Sequence, residues 1–170
     1  MQALTSYAVA QSGVTKEESE ALDKVNLYDR LGEATIISIS ESFYDRVFGD
    51  EEWFRSIFSA SSKKEAVRNQ VDFLVEKLGG PKLYTEKKGK HHRLIARHAP
   101  YAVTPQSAVR WLKHMEGALS DTKGVDGESR ELLLLYFKHM AHFLVAGKEF
   151  ANPTNLVDYH NKMSAQHGDA

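Results

Sequence analysis

The chain has 170 residues, of which 42% are hydrophobic and 26% are charged, a balance typical of a folded globular domain. Lysine and arginine total 22 and aspartate and glutamate total 23, so the net charge of −1 lacks the basic excess of a general nucleic-acid binder. Cysteine is absent, which excludes disulfides, thiolate metal sites and cysteine nucleophiles. We therefore expect one folded domain without a nucleic-acid partner.

The sequence offers no segment suited to a membrane or to export. Its most apolar stretch, residues 132–145, is short and carries Lys138 and two histidines, whereas a spanning helix needs about 20 predominantly apolar residues. The first residues lack a basic region followed by an apolar run, the pattern of a secretory signal. These features predict a cytoplasmic protein with no membrane partner.

Helical periodicity divides the chain into three parts. Residues 1–25 show no clear period and are predicted to be a mobile N-terminal extension, with at most a helical turn near residues 16–22. Residues 26–150 carry apolar side chains at helical spacing almost throughout, and they are predicted to be the folded domain. Residues 151–170 are predicted to be a C-terminal tail.

The first two long helices have clear boundaries. One presents an apolar face and is expected to stop at Gly49; that face consists of Ile36, Ser40, Phe43, Tyr44 and Val47. The next begins at a capping box, Ser62-x-x-Glu65. It ends at the Gly-Gly-Pro sequence of residues 79–81, because proline cannot continue a helix and glycine tolerates positive φ.

A lysine-rich loop is predicted through Gly89, followed by about two helical turns over residues 91–98 that Pro100 closes. Thr104 then caps a third long helix, with proline at its first position. Asp126 is expected to cap the fourth, whose apolar stripe comprises Leu133, Phe137, Met140, Ala141 and Leu144. Strand alternation is almost missing, so the predicted class is all-α, built on four substantial helices.

Common enzyme signatures are missing from the chain, including nucleotide-binding glycine loops, the Gly-x-Ser-x-Gly elbow and His-Glu-x-x-His. His139 and His142 are three residues apart on a predicted helix and could in principle share a metal. No carboxylate lies one turn beyond them, however, and the segment is strongly apolar. Core-edge and surface histidines are the favoured interpretation.

Two features distinguish the chain from a plain helical bundle. First, hydrogen-bonding groups lie on three predicted apolar stripes, at Tyr44, Gln70 and Trp111. Two interpretations are equally favoured: the three side chains line one polar cavity, or each is an ordinary core residue. In addition, a basic run over residues 86–93 precedes Arg97 and His98. This run is either a solvated loop or an anion site beside a histidine, a combination that haem requires.

Five motifs occur in order: Phe-Tyr-Asp-Arg-Val at 43–47, Trp-Phe-Arg-Ser-Ile-Phe at 53–58, Gly-Gly-Pro-x-x-Tyr at 79–84, Arg-His-Ala-Pro-Tyr at 97–101 and Trp-Leu-x-x-Met at 111–115. Together they resemble the truncated (2-on-2) haemoglobins of group II, and within them the plant-type members, over residues 26–147. The resemblance implies a 2-on-2 α-helical sandwich around haem b.

The resemblance also implies roles for individual residues. His98 would be the proximal ligand of the haem iron, and Tyr44, Trp111 and Gln70 would be the distal donors. Ala66 stands where many globins have a distal histidine. The expected pocket wall is Phe58, Phe73, Leu94 and Met115. The expected propionate partners are Arg97, Tyr84 and some of Lys87, Lys88 and Lys90, and Tyr101 joins the cofactor-binding set through its motif.

Dioxygen and other diatomic ligands are the expected partners. Two donors to a charged acceptor, at ~1.5–3 kcal/mol each, would slow dioxygen release by about two to four powers of ten. Slow release argues against bulk oxygen transport. It favours ligand retention, sensing, or the turnover of nitric oxide or peroxide. Such turnover would require an unknown reductase or a supply of peroxide. A monomer or weak homodimer is expected. The alternative is a haem-free helical interaction or regulatory domain.

Overall fold

The computed structural model describes residues 1–89, 94–99 and 101–168, and these residues contain helices and no strand. Lys90, residues 91–93 of the predicted helical turns, and Pro100 lie outside the described residues. The α-helices are α1 (Gln2–Ser12), α2 (Lys16–Ser19), α3 (Leu27–Leu31), α4 (Glu33–Phe48), α5 (Glu52–Arg55), α6 (Lys63–Lys77), α7 (Leu83–Lys88), α8 (Leu94–His98), α9 (Pro105–Asp121), α10 (Gly127–Glu149) and α11 (Pro153–His167). Short 3-10 turns cover Ala21–Lys24 and Ser56–Phe58.

Two helix pairs form the body of the molecule. Helix α4 packs on α6, α9 packs on α10, and α4 also contacts α9, which joins the pairs. Between them lies a core of fully buried side chains that includes Ile36, Ile39, Phe43, Leu74, Met115, Leu119 and Leu133. This arrangement confirms the all-α prediction and the 2-on-2 sandwich.

Side-chain caps fix the starts of three long helices at the predicted residues. Ser62 Oγ accepts from the Glu65 amide at 3.2 Å, and the Glu65 carboxylate accepts from the Ser62 amide at 3.1 Å. Thr104 makes the same reciprocal pair with Ser107, and Asp126 accepts from the Ser129 amide. These caps satisfy amides that have no partner within the helix, so the sequence located the helix starts correctly.

The N-terminal segment is helical and packed, which corrects the expectation of a mobile extension. Helix α1 lies against α10 with Ala8 fully buried, and Val14 and Leu22 are buried as well. His139 Nδ1 lies 3.0 Å from the Val14 carbonyl oxygen. The packed side of α1 depends on small residues such as Ala8, and a stripe of that kind gives little hydrophobic periodicity.

The C-terminal tail also forms a helix, α11. It buries no residue fully, but Tyr159 lies 6.2 Å from Tyr7 and 5.0 Å from Phe150, measured between ring centroids. Tyr7 meets Phe150 edge-on at 5.7 Å. These three rings, the terminal aromatic cluster, bring both ends of the chain to the end of α10.

The predicted lysine-rich loop contains helix α7, which is a correction. Contacts with α6 hold this six-residue helix: the Thr85 hydroxyl and amide donate to the Glu76 carboxylate at 2.7 and 3.0 Å. A helix so short depends on tertiary contacts rather than on its own periodicity. None of the helices described is long and apolar enough to cross a membrane.

Candidate functional site

A cavity of about 520 Å³ lies between the two helix pairs, within the size range of small-molecule and cofactor pockets. Helices α4, α6, α8, α9 and α10 all contribute to its lining. Ten of the twelve residues singled out in the sequence line it: Tyr44, Phe58, Gln70, Phe73, Tyr84, Leu94, Arg97, His98, Tyr101 and Trp111. Tertiary folding therefore brings together residues from all five motifs.

Lys87 and Met115 lie elsewhere. Lys87 Nζ pairs with the buried Asp72 carboxylate at 2.7 Å, so it ties α7 to α6. Met115 is fully enclosed in the core. Lys88 lines the cavity instead, because one residue along a helix turns the side chain by about 100°. Lys90 is outside the described residues.

His98 presents a neutral imidazole to the cavity. Its Nδ1 lies 2.7 Å from the Leu94 carbonyl oxygen, which can only accept, so Nδ1 carries the proton and Nε2 keeps its lone pair. Burial is the main cause that lowers the pKa of His98, and the charge of Arg97 adds to it, although the bond to Leu94 acts in the opposite direction. Metal-binding histidines show this arrangement, with the second ring nitrogen held by a carbonyl.

Other walls of the cavity supply hydrogen-bond donors from three helices: Tyr44 from α4, Gln70 from α6 and Trp111 from α9. Phe43 packs against both aromatic donors, with ring centroids 4.9 Å from Tyr44 and 4.8 Å from Trp111. Burial is the main cause that raises the pKa of Tyr44. The phenol therefore remains protonated and able to donate at neutral pH.

Two buried polar atoms at the cavity are available to a polar group of a ligand. Within the described part of the chain, Gln70 Oε1 and Arg97 Nη1 are buried and have no hydrogen-bond partner. Buried polar atoms in proteins rarely lack a hydrogen-bond partner. The Arg97 guanidinium also stacks 4.8 Å from the centroid of the Tyr84 ring, so a cation stands at the wall that carries His98.

Sequence reasoning missed the contribution of α10 to this site. Tyr136, Phe137, Met140, Ala141 and Leu144 line the cavity. All of these except Tyr136 belong to the apolar stripe that the sequence assigned to the core. Helical spacing did not reveal their role, because it is the same for a side chain that faces a cavity and for one that faces another helix. Ala66 also lines the cavity and is buried.

His139 and His142 do not line this cavity and are buried on α10. Burial lowers the pKa of His142, and the neighbouring His139 lowers it further. In the described ranges, no three His, Asp or Glu side chains are grouped so that they could hold a metal. Both histidines are buried, and they are more enclosed than the sequence suggested.

The cavity combines apolar and aromatic walls, one neutral imidazole, several donors and a nearby guanidinium. An iron porphyrin requires an imidazole for its iron, an apolar slot for its ring and cations for its carboxylates. The residues present therefore fit haem b, with His98 as the one imidazole lining the described cavity.

Comparison with known proteins gives the same result. The pattern of the bacterial-like globin family matches residues 26–146. The chain is 45% identical over 168 residues to two-on-two hemoglobin-3 of Arabidopsis thaliana, covering 98% of this chain and 95% of that protein. Its fold is similar to the group II truncated hemoglobin of Bacillus anthracis, with a TM-score of 0.65, 37% identity and coverage of 71% and 91%. A truncated oxygen-avid haemoglobin from Bacillus subtilis is 36% identical with a TM-score of 0.63, over 69% of this chain and 97% of that one.

Proposed function

The chain belongs to the group II truncated haemoglobins, which carry haem b, and we propose that it binds dioxygen and retains it through hydrogen bonds from Tyr44, Trp111 and Gln70. Family membership excludes the alternative of a haem-free interaction domain. The observation that carries the proposal is that three donors and His98 line one cavity of mostly apolar walls. The haem supplies the iron that takes up the diatomic ligand.

His98 is proposed as the proximal ligand. The Leu94 carbonyl holds its Nδ1 proton, which orients the ring and leaves Nε2 as the metal-binding nitrogen. Arg97 and Lys88 line the same cavity and are proposed to neutralise the two cofactor carboxylates. Tyr84, under the Arg97 guanidinium, restricts the directions in which that side chain can point.

The distal donors are proposed to act on the ligand. A hydrogen bond counts for more in a cavity that excludes water than in bulk solvent, since the local dielectric is low. The donors are held before the ligand arrives, because Phe43 packs on both Tyr44 and Trp111. Such preorganised donors stabilise negative charge without reorganisation.

Ala66 makes these donors more important. A methyl group cannot donate a hydrogen bond, so Ala66 on α6 provides none, and stabilisation must come from Tyr44, Trp111 and Gln70. The oxygen-avid Bacillus subtilis relative supports retention rather than rapid exchange. We therefore infer a role in ligand retention, sensing, or nitric oxide and peroxide chemistry rather than in bulk oxygen transport.

The decisive experiment measures the dioxygen dissociation rate of Tyr44→Phe, Trp111→Phe and the double variant. Each single substitution removes a donor to a charged acceptor, ~1.5–3 kcal/mol, and should accelerate release about ten- to hundredfold. Stopped-flow spectrophotometry with carbon monoxide replacement gives the rate.

Tyr28→Phe and Trp53→Phe are matched controls, because both side chains lie away from the cavity lining. These variants should release dioxygen at the wild-type rate. An unchanged rate in the double variant of Tyr44 and Trp111 would contradict retention by these donors. Steady-state turnover with nitric oxide or peroxide then separates a chemical role from binding alone.

A further inference from the structure

A lysine side chain from α10 binds two backbone carbonyl oxygens just beyond His98. Lys148 Nζ donates to the carbonyl oxygens of Ala99 at 2.6 Å and Tyr101 at 2.5 Å. The Tyr101 amide in turn donates to the His98 carbonyl oxygen at 3.0 Å. The backbone on the C-terminal side of His98 is therefore fixed by one cation from another element.

Helix α8 needs such support because it has only five residues, far fewer than a helix requires to persist alone. It lies close to α10 at Gly147, where a Cβ atom would come within 2.9 Å of Ile95 Cγ2. Leu94 O at the start of α8 holds the His98 ring, and Lys148 holds the carbonyls that follow the helix. A cation beside the last carbonyls of a helix is also electrostatically favoured.

The end of α10 that carries Lys148 is itself held from outside the globin body. Phe150 lies two residues after Lys148 and packs on Tyr7 of α1 and Tyr159 of α11. Helix α1 also packs along α10. Both terminal helices thus meet the chain within two residues of Lys148, which contacts the segment after His98.

We propose that Lys148 is a positioning residue that fixes His98 through the carbonyls of Ala99 and Tyr101, and that the terminal aromatic cluster braces Lys148. This proposal rests on the proposed role of His98 as the proximal ligand. According to this proposal, the two terminal helices stabilise the haem site by holding Lys148 in place, although neither helix lines the cavity. Removing the cation frees the turn and widens the range of imidazole orientations.

The test compares Lys148→Met, which keeps most of the side-chain length and removes the donors, with Lys138→Met on the exposed side of the same helix. In the haem-loaded full-length chain, amide hydrogen exchange at Tyr101 should be about tenfold faster in Lys148→Met, because local opening becomes easier. The iron–histidine stretching band should shift or broaden. Lys148→Arg, which keeps a cation with several donors, should restore both signals.

The brace is tested with Tyr7→Ala and Tyr159→Ala. Each should accelerate Tyr101 exchange in the same direction but less, and neither should add to the effect of Lys148→Met, since coupled residues are not additive. Additive effects would overturn the brace. Wild-type exchange and an unshifted iron–histidine band in Lys148→Met would overturn the positioning role.

Failure of the proposed function gives a different result. If His98 is not the proximal ligand, His98→Ala leaves the haem spectrum unchanged, whereas the dependence of Tyr101 exchange on Lys148 persists. The two outcomes are therefore separable in one set of variants.

Discussion

At the scale of single residues, packing decides what the polar side chains can do. Tyr44 and Trp111 are held by one phenylalanine, and burial keeps the Tyr44 phenol protonated by raising its pKa. Gln70 differs, because its Oε1 is buried without a partner among the described residues. A buried polar group without a hydrogen-bond partner lowers the stability of the folded state. Proteins typically accept such a loss of stability at functional positions.

Replacing Gln70 with leucine should separate function from stability. The substitution removes the unpaired oxygen, so the melting temperature of the haem-free chain should stay equal or rise. It also removes a proposed donor, so dioxygen dissociation should accelerate about tenfold. Thermal unfolding and stopped-flow kinetics measure the two effects. Gln106→Leu, at an exposed position, serves as the control, and a large fall in melting temperature for Gln70→Leu alone would contradict the prediction.

At the scale of elements, caps define where α6 and α9 begin and therefore which side chains reach the cavity. The register of α6 sets Ala66, Gln70 and Phe73 along one wall, and these positions follow from the cap at Ser62 by helical spacing. Short elements behave differently. Helix α7 has Glu76 and Asp72 as partners, and Lys148 binds carbonyl oxygens just beyond α8.

Substituting Ser62 with alanine should lower the free energy of unfolding by ~1 kcal/mol, because the Glu65 amide loses its acceptor and the capping box breaks. Urea titration followed by circular dichroism measures the change. Ser38→Ala is the control, since Ser38 lies inside α4 and its hydroxyl donates to the Ala34 carbonyl rather than to a helix end. Equal losses in both variants would show that the box contributes nothing specific.

At the scale of the whole molecule, one carboxylate ties distant parts of the chain together. Asp50, between α4 and α5, accepts from Arg110 Nε at 2.7 Å and Nη2 at 2.5 Å, and its Oδ2 lies 2.6 Å from His114 Nε2. Both partners are on α9 and flank Trp111. Hydrogen bonds from Arg110 are the main cause that lowers the pKa of Asp50, and His114 adds to it.

The interaction of Asp50 with Arg110 and His114 should contribute to the melting temperature of the protein, and this contribution should be lost at low pH. Because the folded chain holds the pKa of Asp50 below its ordinary value of 3.8, the stabilisation is complete above that value and is lost as the pH falls. Asp50→Asn should therefore lower the melting temperature at neutral pH and reduce its further decline between about pH 5 and pH 2. Scanning calorimetry across this range measures both. Asp158→Asn, on exposed α11, should reproduce neither effect, and a parallel acid decline in wild type and Asp50→Asn would refute the tie.

The cavity shows how far sequence reasoning reached. Tyr44, Gln70 and Trp111 could be singled out because polar groups on apolar stripes are unusual, and His98 because it lies in a motif that carries the family resemblance. Met140 and Leu144 could not, because a leucine that faces a cavity and one that faces a helix follow the same period. Lys87 and Lys88 are adjacent in sequence, and the fold of α7 on α6 decided that Lys87 pairs with Asp72 while Lys88 lines the cavity.

The sequence by itself determined the helical class and the starts of α6, α9 and α10, because caps and periodicity are local, and its motifs carried the resemblance from which a haem site was expected. The tertiary structure alone decided that α1 packs on α10, that Tyr159 of α11 meets Phe150 and Tyr7, that α7 is helical, and that Lys148 reaches the carbonyls beyond His98. The ring contact of α1 with α11 and the contact of Lys148 with Tyr101 join residues 152 and 47 positions apart in the chain. Their stability comes from surfaces that meet only after folding, so no local pattern records them.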